Sequence, residues 1–190
     1  MGNSSMAFAR KSAKEKAPLD EPALFDYAVK ALGRRMRTEA ELRRILEGRA
    51  AAGESGEAAV NAVVGRLKEM HYLNDAAFAE TYARLRHEND KLGAGRVRRD
   101  LAQKGIRSGL IAETVDARYA GADEEKLARE HLERRGVRKP NDEREMARVA
   151  RRLVAAGFST GTIYKILRKW DVPDEALAAL DSLETETHEE

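Results

Sequence analysis

The strongest constraint on this chain is an internal register. Gly105-Ile106 and Gly157-Phe158 lie 52 positions apart, as do Leu101 and Leu153, Ile111 and Ile163, and Val115 and Leu167. Coincident spacings of this kind mean that one supersecondary unit has been copied, and a unit of about 50 residues buries too little surface to stand alone. A looser third copy precedes these two. Leu42 and Leu46 match Val97 and Leu101, and Val60 to Val64 match Leu110 and Ile111 after a longer linker containing Gly53 and Gly56.

Within each copy the apolar residues recur every three or four positions, the helical period, and no alternating strand pattern competes with it. The first helix spans about 22–35, with Leu24, Phe25, Ala28, Val29 and Leu32 on one face and Pro22 in its opening turn. Thr38 and Glu41 form a capping box for a second, and a third covers about 57–70. Asn74 or Asp75 caps a helix bearing Phe78, Tyr82 and Leu85; a short helix with Val97 and Leu101 stops at Gly105; Ser108 caps the next. Asp123, Asn141 and Ser159 open the last three, of which the final one carries Ile163, Ile166, Leu167 and Trp170. The expected fold is all-α, three tandem three-helix modules in an elongated, curved array. Its parts are a disordered lead over 1–20, modules over 21–73, 74–120 and 121–172, and an acidic tail over 173–190 with room for one short helix. Such an array presents a wall rather than a pocket, suited to large partners.

Composition removes several function classes. Cysteine is absent, which excludes a disulfide framework and a thiol nucleophile and suits a cytoplasmic protein; no apolar run approaches the length of a membrane span. His71, His87, His131 and His188 lack ligand spacing, and no Walker or dinucleotide fingerprint occurs, so neither a metal, a cofactor nor a catalytic constellation is expected. The formal net charge of +2 conceals an asymmetry: residues 171–190 carry eight acids and no Lys or Arg, leaving a basic body that attracts polyanions. The tail could fold back on that body or simply solubilise it. A monomer is expected, because a tight dimer would cover part of the wall.

Two stretches carry a family resemblance. H71-Y-L-N-D-A-A-F-A79 and K91-L-G-A-G-R-V-R-R-D-L-A-Q-K-G-I106 closely resemble the most typical region of the RecX family, and A155-A-G-F-S159 with Ile163 extends the match into the third module. The matching framework residues are Tyr72, Leu73, Asp75, Phe78, Gly93, Leu101, Gly105, Ile106, Gly157, Phe158 and Ile163; His71 stands where the family often has Gly, and Ala155 and Ala156 where it often has Lys or Arg. The resemblance implies a non-enzymatic regulator that binds the RecA filament on single-stranded DNA, restrains recombinase, ATPase and co-protease activities, and in some members binds DNA itself.

Candidate binding residues are the basic clusters on equivalent helices: Arg96, Arg98, Arg99, Lys104 and Arg107 in the second module, then Arg144, Arg148, Arg151 and Arg152, followed by Lys165, Arg168 and Lys169, in the third. Guanidinium rows pair with phosphates or with acidic protein rims. The plainer reading makes them surface charges satisfied by local acids such as Asp100 and Glu145. Phe78, Tyr82, Phe158 and Trp170 sit on apolar stripes or just after Gly, which favours core packing over base stacking. Two alternatives remain: a helix-turn-helix DNA binder, since Gly157 to Leu167 has that pattern, and a purely structural scaffold.

Overall fold

A computed structural model describes residues 17–170. The lead before residue 17 and the acidic tail lie outside them. Among the described residues the chain forms nine α-helices and no strand: α1 Glu21–Arg34, α2 Glu39–Glu47, α3 Glu54–Glu69, α4 Asp75–Glu88, α5 Ala94–Gln103, α6 Ser108–Tyr119, α7 Glu124–Arg134, α8 Glu143–Ala155 and α9 Thr160–Arg168. They divide into two compact units, one of residues 17–35 and 42–72, the other of 36–41 and 73–170.

In the first unit α1 packs on α3. Order begins before the expected end of the lead, since Leu19 N–H donates to Arg49 O at 2.8 Å and Asp20 caps α1 by accepting from Ala23 N at 3.0 Å. The core gathers Leu24, Ala28, Leu46, Val63, Val64 and Leu67, the apolar stripes of three helices. The third helix starts at Glu54, three residues earlier than its periodicity suggests, because Gly56 is buried in its first turn against the Ala51 carbonyl, where a Cβ would sit at 1.8 Å. His71 has a φ of 58°, the left-handed region that favours Gly, which explains the residue type usual at that position. Tyr72 bears the family pattern yet is 55% exposed, so it anchors no core.

The second unit holds two three-helix sets. Helices α4 and α5 pack on α6 around Phe78, Val97, Leu101, Ile106, Ile111 and Val115; α7 and α8 pack on α9 around Leu132, Met146, Leu153, Phe158, Ile163 and Leu167. Two caps differ from expectation. Ser108 is the first helical residue of α6, with Arg107 at the cap position, and Asp142 rather than Asn141 caps α8 by accepting from Glu145 N at 2.7 Å. Asn74 caps α4, and the neighbouring Asp75 accepts from Glu39 N at 2.9 Å, so it stabilises the start of α2 instead. Thr38 accepts from Glu41 N and donates its own hydroxyl proton to Lys104 O at 2.6 Å.

Helix α9 is held by a side chain that periodicity does not reveal. The Glu124 carboxylate accepts from Ser159 N at 2.8 Å, Ser159 Oγ at 2.6 Å and Thr162 Oγ1 at 2.6 Å. Burial opposes its charge, but these hydrogen bonds and Lys165 hold the carboxyl below the usual carboxylate range. Removing it as Glu124→Ala leaves donors without acceptors at a helix start and should cost about 1–3 kcal/mol in urea unfolding. A depressed folded-state pKa makes this contribution full above the unfolded carboxylate pKa and lost as pH falls through the folded value, so the wild-type advantage over the variant should shrink on acidification.

Candidate functional site

The glycine register found in the sequence is a docking device within the second unit. Gly157, at a φ of 85°, lies against the first turn of α5, where an added Cβ would meet Arg96 N at 1.9 Å. Gly93 approaches Gly157 from the other side, and a Cβ there would lie 2.3 Å from Gly157 O. Two backbone bonds close the joint, Gly93 N to Ala156 O at 2.9 Å and Gly95 N to Gly157 O at 3.1 Å. One repeat earlier, Gly105 at a φ of 80° faces Ala40, and the Thr38 hydroxyl bonds Lys104 O where a backbone N–H serves in the later copy.

This joint determines what the α5 arginines do. Arg96 Nη1 donates to Ala155 O at 3.3 Å and Arg99 Nη2 to Val154 O at 3.3 Å, so both satisfy carbonyls at the end of α8, as cations at a helix C-terminus should. Arg96 also pairs with Asp100 at 2.8 Å, Arg98 with Asp116 on α6, and Lys104 with Glu41 at 2.9 Å. Four of the five basic residues singled out in the second module are thus engaged inside the molecule, while Arg107 stays exposed.

The third-module cluster is arranged differently. Arg144, Arg148 and Arg151 follow one another at i, i+4 and i+7 on α8, with Arg152 beside them, and all four are exposed. Among the described residues none of these four side chains makes an ion pair or hydrogen bond, since the local acid Glu145 is turned back to Asn141. Of the α9 residues, Lys169 pairs with Glu125, Arg168 is also engaged, and Lys165 lies near Glu124. The structure therefore separates one sequence-level basic face into a tied set on α5 and an unpaired row on α8.

Between the two helix sets opens a cleft of about 860 Å³. One wall is Tyr82, Arg86 and Asp90 of α4 and its following turn; Arg96, Asp100 and Lys104 of α5 form another, with Glu41 at the rim. The far wall comes from His131 and Arg135 at the end of α7 and Arg152 of α8. Tyr82, expected in the core, is only half-buried: its hydroxyl donates to Asp100 at 2.9 Å, and Arg86 lies over its ring at 4.7 Å. Phe78 and Phe158 are buried as expected. Arg135, Asp90 and His131 carry no periodic or motif signal, so the sequence alone does not mark them.

His131 is buried at the cleft floor, its Nδ1 3.1 Å from Asp90 O and its ring edge-on to Phe158. Burial, and after it the guanidiniums of Arg135 and Arg152, lower its pKa below the ordinary 6.5, against the hydrogen bond to Asp90 O. Below the ordinary value the unfolded chain binds more protons than the folded one, so the stability due to neutral His131 is present above about pH 6.5 and lost as pH falls toward the folded pKa. His87 shifts the same way through burial and Arg118. The urea midpoint should fall between about pH 7.5 and about pH 5.5, and His131→Asn should lessen that fall; an unchanged difference would leave His87 as the whole cause.

Among the described residues no group of acids and histidines is placed to hold a metal, and no helix is long and apolar enough to cross a membrane. Repeated three-helix sets, glycine-based joints and a row of unpaired arginines define a helical-repeat protein built for binding. Residues 74–115 match the second three-helix domain of RecX. The chain is 37% identical over 161 residues to the regulatory protein RecX of Deinococcus radiodurans, covering 81% of this chain and 72% of that one. It is 34% identical to its counterpart in Cronobacter sakazakii, covering 78% and 92%. A crystal structure of regulatory protein RecX superposes with a TM-score of 0.62 at 25% identity, covering 78% of this chain and 71% of the other; RecX from Lactobacillus salivarius, at 21% identity and a TM-score of 0.61 over 80% and 97%, shares the fold. The chain belongs to the RecX family of regulatory proteins.

Proposed function

We propose that this protein is a negative regulator of homologous recombination and DNA repair that binds the RecA filament on single-stranded DNA and restrains RecA ATPase, strand exchange and co-protease activity. It acts by binding, as a cytoplasmic monomer, and catalyses nothing itself. The observation that carries the reading is the α8 row: four exposed arginines with no internal acid among the described residues, on a repeat whose relatives are named regulatory proteins. Such a row suits a periodic anionic partner, and three tandem modules would extend the contact.

The helix-turn-helix alternative finds less support in the same residues. The start of α9, which would approach DNA in such a motif, is occupied by the Glu124 carboxylate, and Thr162, Ile163, Ile166 and Leu167 are buried. No Asn or Gln in α9 is available to read a base edge. The test is RecA's single-stranded-DNA-dependent ATP hydrolysis titrated with this protein at fixed moderate salt, alongside its binding to the same DNA without RecA. Inhibition near equal ratios with weak binding to bare DNA is expected. No inhibition together with tight, sequence-dependent duplex binding would replace this reading with direct DNA recognition.

A further inference from the structure

The cleft has a charge pattern of its own. Its three carboxylates are all matched by cations: Asp90 by Arg86 at 2.7 Å, Asp100 by Arg96 at 2.8 Å, Glu41 by Lys104 at 2.9 Å. At the other end Arg135 and Arg152 face each other across His131 with no acid paired to either among the described residues. The cleft is thus two-signed, one end holding an excess of guanidinium and the other a set of exposed ion pairs that can exchange partners. Backbone carbonyls at the ends of α5 and α8 add acceptors along its length.

A nucleic acid strand supplies only negative charge, and its phosphates would have to run past the three carboxylates and those carbonyl ends. This chain's own acidic tail meets the same objection, because residues 171–190 contain no Lys or Arg to satisfy the carboxylate end. A polypeptide of mixed charge fits both ends: its acids meet Arg135 and Arg152, and its cations and amide N–H groups meet Asp90, Asp100, Glu41 and the carbonyls. The volume, near the upper end of small-ligand pockets, accommodates several side chains. We propose that the cleft receives a mixed-charge segment of the protein partner, while the α8 row meets the partner's polyanionic part. The inference rests on the filament reading above and divides it into a protein-reading cleft and a phosphate-reading row.

The test compares wild type, R135Q/R152Q and R135K/R152K, each full-length and truncated after residue 172, for binding to a RecA filament on oligothymidylate and to the bare oligothymidylate. Circular dichroism melts confirm that the exposed substitutions leave the fold intact. The expected result is a loss of about tenfold in filament affinity for R135Q/R152Q, partial rescue by the lysine variant, and an unchanged dependence of bare-DNA binding on salt. A bare-DNA salt slope lower by about two phosphate contacts would place these arginines on the phosphate track and overturn the proposal. Truncation that strengthens filament binding in wild type but not in R135Q/R152Q would make the tail the occupant, and equal filament affinity for all variants would leave the cleft empty; either overturns it. A wild type that ignores the filament overturns the filament reading itself, and the wild-type arm shows which of the two has failed.

Discussion

Gly157→Ala is expected to unfold or uncouple the last three-helix set, at a cost of about 3 kcal/mol or more, whereas Gly121→Ala costs about 1 kcal/mol. Both residues have positive φ, 85° and 70°, so both pay the left-handed penalty of an L side chain. They differ in their surroundings. An added Cβ at Gly121 meets nothing within 4 Å, but at Gly157 it meets the backbone nitrogen of Arg96 at 1.9 Å, and backbone in the first turn of a helix cannot step aside as a side-chain tip can. The joint must open, which breaks the bonds from Gly93 N to Ala156 O and from Gly95 N to Gly157 O and strips Arg96 and Arg99 of their carbonyl acceptors. Urea unfolding gives the size of the effect, and hydrogen exchange at the Gly93 and Gly95 amides gives its place. Equal costs for the two glycines, with those amides still protected, would show that the joint contributes nothing.

The second large effect concerns binding. R148E/R151E should lower affinity for the filament by about a hundredfold at low salt and reduce the salt slope, because both side chains are exposed and unpaired and reversal turns attraction into repulsion. The charge-matched control R84E/R98E changes the formal charge equally, yet those arginines already face Glu88 and Asp116, so a much smaller loss is expected. Equal losses would mean that net charge alone governs association. Melting temperatures of both variants should stay near wild type, since ion pairs at exposed positions contribute little.

The helices were legible because their residues repeat at the helical period and the copies repeat at 52 positions; stripes such as Val97-Leu101 and Ile163-Leu167 are buried as their spacing implies. Caps were read less well where two suitable residues adjoin. Asn141 and Asp142 offer the same acceptor chemistry, and only the position of Glu145 N decides between them. Gly105 and Gly157 read correctly as helix stops, but their second task, admitting a neighbouring backbone, depends on what lies opposite and has no local signal. The same holds for the arginines. Those of α5 and α8 look alike in sequence, and what divides them is tertiary: carbonyl ends and Asp116 face one set, open surface the other.

The joint between the two later copies is made of main-chain atoms and the absence of two side chains, so it is nearly blind to the rest of the sequence around it. Each copy brings a receiving helix start at one position and a docking glycine turn at another. A chain carrying a further duplicate of the last copy should therefore accept it with no new complementary surface, and copies can diverge freely in charge while the seam stays the same. Copy number is then an adjustable property of such a chain, and reach along a partner can grow or shrink by whole modules.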